Sequence, residues 1–108
     1  MREGLEMKEI KEIAKDIREM LQDAECYARE AVKHKDQYPE LARLYNLISS
    51  NRINEINSLH DQAAAMIDRS RREGKEVPEA MTAVWEWEHD NMLDEMADVK
   101  RLQDMYKG

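Results

Sequence analysis

The sequence has no phenylalanine, three glycines, two prolines and a single cysteine. So few turn-forming residues exclude an all-β sandwich or barrel, whose many reversals depend on glycine and proline. One cysteine cannot form an internal disulfide, which excludes a disulfide-stapled scaffold and fits a reducing compartment. Basic residues are also short: 17 Lys and Arg stand against 24 Asp and Glu, for a net charge of -7. Phosphate binding needs a surplus of Lys and Arg, so no nucleic-acid partner is expected. Long apolar runs are missing as well. The longest, Ala63 to Ile67, falls far short of the ~18 residues that cross a bilayer. Met1, Arg2, Glu3 and Gly4 lead into alternating charges and not into an apolar signal core, so the expected location is cytoplasmic, away from membranes.

What remains is a chain of 108 residues that is 42% apolar and 38% charged, of a length expected for one domain spanning 1–108. Two segments break it, Lys33 to Pro39 and Arg72 to Pro78. In each, basic residues suit the negative end of an outgoing helix and a proline can open the next. Gly74 is placed to end a helix in the left-handed conformation. The reading is all-α: three long antiparallel helices, about 6–36, 39–73 and 78–106, in an up-down-up bundle.

Apolar spacing supports each helix. Ile10, Ile13, Ile17, Met20, Leu21, Ala24, Tyr27, Ala28 and Ala31 recur at steps of three and four, as do Met81, Val84, Trp85, Met92, Met96, Val99, Leu102 and Tyr106. Each set draws one stripe down a helix. The middle segment carries two stripes, one of Leu41, Tyr45, Ile48, Leu59, Ala63 and Met66, the other of Ile53, Ile56, His60 and Ile67. Two stripes imply two neighbours, so the middle helix is expected to lie between the others.

Charges interrupt these stripes. Arg52 and Glu55 fall within the middle helix's face, and Glu88, His89 and Glu95 lie on or beside the third stripe. Folding the chain back about Gly74 brings Glu95 to the level of Glu55 and His89 to that of His60. Burying an ion costs several kcal/mol unless it is paired or metal-bound. One reading is a buried polar network of Arg52, Glu55 and Glu95 that fixes helix register. The other is a metal or ligand site drawing on Glu88, His89, Glu95, Glu55 or His60, against which the fixed charge of Arg52 weighs. Glu86 and His89, three apart, can in principle reach one metal from one helix face.

Asp23-Ala24-Glu25, Leu59-His60-Asp61-Gln62, Glu86-x-x-His89 and Glu95-Met96-Ala97-Asp98-Val99 together resemble the ferritin-like, rubrerythrin-like helical proteins. The chain is also similar in character to small prophage proteins, without a motif that carries the likeness. The ferritin-like resemblance implies two iron or manganese ions, held by a Glu from each of two helices and Glu-x-x-His from each of two more. Glu86 and His89 match one Glu-x-x-His, and Glu25 matches a lone Glu. The second motif is broken: Arg52 and Glu55 stand where it is expected, and His60 has Asn57 three residues before it. The resemblance thus implies an incomplete di-metal site of Glu86, His89, His60 and Glu25.

Other reactive residues are read as structural. Cys26 projects away from the first stripe, between Glu25 and Glu30, a poor setting for a thiolate nucleophile. The methionines are read as core filling, and Arg69, Arg71, Arg72 and Lys75 as a complement to a helix C-terminus. Trp87 differs. Two residues after the inward Trp85, it points outward beside Ala80 and Ala83, which suits a partner surface. The expected function is therefore a homodimeric structural or protein-interaction module with a degenerate ferritin-like site, no catalysis and no cofactor, open to a further protein partner. The alternative is an iron- or manganese-binding protein using Glu86, His89, His60 and a carboxylate from another helix.

Overall fold

The computed structural model describes residues 2–74 and 79–108, with side chains for 8–74, 82, 83 and 85–108. The side chains of Ala80, Met81 and Val84 and the whole of Pro78 lie outside the described residues. The fold is three α-helices, α1 Arg2–His34, α2 Pro39–Arg72 and α3 Glu79–Lys107, with no strand among the described residues. None of these helices is long and apolar enough to cross a membrane.

Local chemistry sets the two visible boundaries. Tyr38 precedes Pro39 and so cannot be helical; it takes φ -133° and ψ 69°, while its N–H donates to the His34 carbonyl at 2.8 Å. α1 therefore closes at His34, two residues before the sequence boundary, and Pro39 starts α2. Lys35, in the turn, donates to the Met105 carbonyl at 3.0 Å and places its charge at the negative end of α3. At the other end Gly74 adopts φ +75° and its N–H donates to the Arg71 carbonyl at 3.1 Å. A Cβ would be strained there, so glycine terminates α2.

The Cα trace measures 57 × 18 × 17 Å. Nearly equal short dimensions mean a triangular cross-section. Its sides are unequal, because α1 runs in close contact with both other helices, whereas α2 and α3 approach closely at only a few points. The hub is thus α1, and not the middle helix as its two stripes suggested. Side-chain size explains the difference. α1 buries Ile10, Ala14, Ile17, Leu21, Ala24, Ala28 and Ala31, alternating by three and four as in a coiled-coil seam. α2 answers with Ala42, Ser49, Ile56, Ala63 and Ser70, one every seven residues. Alanine and serine let these backbones close up. Between α2 and α3 the side chains are large, with Ile53, Trp85 and Met96 packed around the central core and His60 stacked on Trp85.

Three clusters fill the long axis. Ile10, Ala63 and Ile67 lie at one end, Ile17, Leu21, Ile56 and Met92 in the middle, and Ala24, Ala28, Val99 and Leu102 at the other end. Ser49, fully buried, joins all three helices. Its Oγ donates to the Ala24 carbonyl at 2.7 Å and accepts from Gln103 Nε2 at 3.0 Å. Leu41, expected on the core stripe, is 38% exposed, because its neighbour Ala42 takes the place against α1.

Candidate functional site

The chemically distinctive region lies at Trp85, which packs against both the end cluster around Ile10 and the central cluster. On α2, His60 projects toward α3. Its ring lies 5.4 Å from the ring of Trp85, nearly parallel at 21°, and 4.6 Å from that of His89. The His89 Nδ1 is buried and has no hydrogen-bond partner among the described residues. His60 Nδ1 lies 3.8 Å from the exposed Asp61 carboxylate.

On its other flank α3 faces α1 with Glu88 and Glu95. Glu88 is largely buried and lies 3.9 Å from Arg18 of α1, whose side chain is half in solvent. The Glu95 carboxyl is raised above its ordinary value. Burial is the main cause, followed by the charges of Glu25 and Asp98; Arg18 opposes them and Glu88 adds to them. A cavity of ≈ 190 Å³ opens between these flanks. Apolar side chains of α1 and α3, Ile17, Leu21, Trp85 and Met92, form its walls, while Arg18, Glu88, Asn91 and Glu95 supply polar groups and His60 and His89 also line it.

The expected metal residues do not converge. His60 and His89 meet. Glu86, by contrast, is exposed and lines a separate surface hollow with Asp68 and Arg71. Glu25 accepts from Arg29 at 2.6 Å. Among the described residues no three His, Cys, Asp or Glu side chains are grouped to hold a metal ion. Glu86, His89, His60 and Glu25 as placed therefore do not form a di-iron or di-manganese centre among the described residues.

The expected polar network divides in the same way. Arg52 Nη1 donates to both oxygens of Glu55, at 2.7 and 2.9 Å, but these side chains are 36% and 43% exposed. Glu95 faces Glu25 and Arg18 of α1. Ile53, a residue further and about 100° round the helix from Arg52, takes the position beside Val99 and Leu102. Equal height along the bundle does not bring Arg52 and Glu95 onto the same seam.

Trp87 is 63% exposed and Ala83 is exposed beside it. Cys26 is exposed, and Arg72 pairs with Asp68 at 3.2 Å. Sequence reasoning missed the cavity and the contributions of Arg18 and Asn91 to it. The fold-back about Gly74 relates α2 to α3 alone, so it carried no signal for Arg18 on α1. Comparison with protein-family models, with curated proteins and with solved structures finds no match to this chain.

Proposed function

We propose that this chain is a non-catalytic helical-bundle module that acts by protein association, most simply as a homodimer, and that its ferritin-like features are the remnant of a metal site. The observation that carries the reading is α3. This helix packs chiefly on α1, yet exposes Trp87 at 63%, Leu93 at 50% and Met105 at 52%. Large apolar groups on an outlying helix favour a partner, and a two-fold axis supplies one without a second gene product. Tryptophan is enriched among residues that dominate interface energies. A second copy would also supply the helices that a ferritin-like bundle has beyond these three.

The test is solution mass by light scattering at low micromolar concentration. The native chain should run as a dimer and Trp87→Ser should shift it toward monomer, with the melting temperature kept. A monomeric native chain overturns the homodimer. Iron or manganese binding is the rival reading, favoured by the contact between His60 and His89. Metal content of protein expressed with both metals decides it. Near-stoichiometric metal that is lost in His89→Ala would replace the association reading with a metal-binding one.

A further inference from the structure

We propose that the cavity between α1 and α3 binds a small organic ammonium, a primary amine carried on a single aromatic or compact apolar body. The site lies within one chain, but Trp87, on which the association reading rests, also lines it; light scattering run beside the titration separates loss of the dimer from loss of binding.

Size sets the first limit. At ≈ 190 Å³ the cavity somewhat exceeds the ~150 Å³ apolar void that accepts benzene, so one ring with a short arm fills it. The walls set the second. Ile17, Leu21, Met92 and the Trp85 ring line it, and they favour an apolar body over a hydrated ion.

Charge sets the third. Glu88 is 16% exposed, and its partner Arg18 is 3.9 Å away and half in water, a loose and screened pair. Glu95 faces Glu25, Asp98 and Glu88 with Arg18 in opposition, while Arg29 is engaged by Glu25 and Arg101 by Asp98 at 3.5 Å. Carboxylates outnumber cations here, so a positive ligand relieves repulsion and an anion adds to it. An ammonium presents three donors, for which the carboxylates are acceptors, and an aromatic face such as that of Trp85 attracts a cation. The His89 ring also lines the cavity. A bare metal ion is disfavoured, because no three ligating side chains are grouped among the described residues.

The experiment titrates the full chain at pH 7 with benzylamine, benzyl alcohol and benzoate in parallel, read by calorimetry and by tryptophan fluorescence. Benzylamine should bind saturably with Kd below about 1 mM, a modest demand for eight non-hydrogen atoms. Benzyl alcohol should bind at least tenfold more weakly and benzoate more weakly still. Glu88→Gln and Glu95→Gln should each weaken benzylamine about tenfold, with helicity and melting checked by circular dichroism. Glu95→Gln removes a strained charge and so keeps the fold even if Glu88→Gln does not. Absence of saturable benzylamine binding, equal affinity for all three probes, or unchanged affinity in a folded Glu95→Gln variant would each overturn the proposal. So would manganese or zinc alone binding more tightly than benzylamine and competing with it.

Discussion

The rings of His60 and His89 lie 4.6 Å apart across the seam between α2 and α3, and the Nδ1 of His89 is buried without a partner among the described residues. A ring nitrogen removed from water and left unbonded costs about 1–3 kcal/mol. Trp85 and Met92 line the same cavity as this ring, together with the polar Arg18, Glu88, Asn91 and Glu95.

Replacing that nitrogen tests its cost. His89→Leu keeps most of the volume and removes the orphan, so urea denaturation should show a gain of about 1 kcal/mol. The equivalent change at the exposed Asp61 should leave the midpoint nearly unmoved. A clear loss of stability in His89→Leu would mean that the imidazole is satisfied by a group it meets only in solution.

Ser49 is the reverse case, a buried polar group with its partners in place. Its Oγ both donates to Ala24 and accepts from Gln103, so Ser49→Ala breaks two bonds and leaves the Gln103 amide to find water. The expected cost is about 1–2 kcal/mol. Ser49→Val has a different fault. It forces volume between backbones that meet across Ala24, and overpacking of this kind costs about 1–3 kcal/mol. The two variants should both lower the melting temperature, and Gln103→Ala should recover part of the Ser49→Ala loss in a double-mutant cycle.

The three helices were legible because their signals are strong and local: Pro39, the glycine at 74, and apolar residues recurring at helical spacing. The meeting of His60 with His89 was legible too, since folding a chain about a known turn sets heights along the bundle. The choice of α1 as hub was hidden in weakly hydrophobic residues. Ala42, Ser49 and Ser70 are buried at every seventh position or a multiple of it, yet they contribute little to an apolar stripe, whereas the more conspicuous Leu44 and Leu47 are 50% and 53% exposed. The site failed for an angular reason. Height along the axis follows from counting residues, but which of two seams a side chain enters depends on some 50° of helix rotation. Arg52 and Glu95 share a height and face different seams.

That separation predicts a small effect where a buried network predicts a large one. Arg52 and Glu55 are over a third exposed, so Arg52→Ala should cost no more than about 1 kcal/mol. Removing one member of a buried ion network would cost about 3–5 kcal/mol. Ile56, fully buried in the central cluster, supplies the internal standard, with Ile56→Ala expected to cost about 2–5 kcal/mol. An Arg52→Ala loss equal to that of Ile56→Ala would return Arg52 to the interior.

Glu95 gives stability a dependence on pH whose sign is fixed by its raised carboxyl. In the folded chain burial, Glu25 and Asp98 favour the protonated form, so the folded state holds its proton at a pH where the unfolded chain has released it. The contribution of this group is full below the ordinary glutamate value near 4.5 and is lost as pH rises through the higher folded value. Ionisation of Glu95 is therefore a cost to the folded state. Glu95→Gln, which is neutral throughout, should melt above the native chain at pH 7, with the advantage shrinking as pH falls and vanishing near pH 4. Melting curves of the two proteins at both pH values check this as a difference, which cancels the titration of the other carboxylates. A variant that melts lower at pH 7, or whose advantage is the same at both values, would show that Glu95 is held by a cation or donor that outweighs its burial.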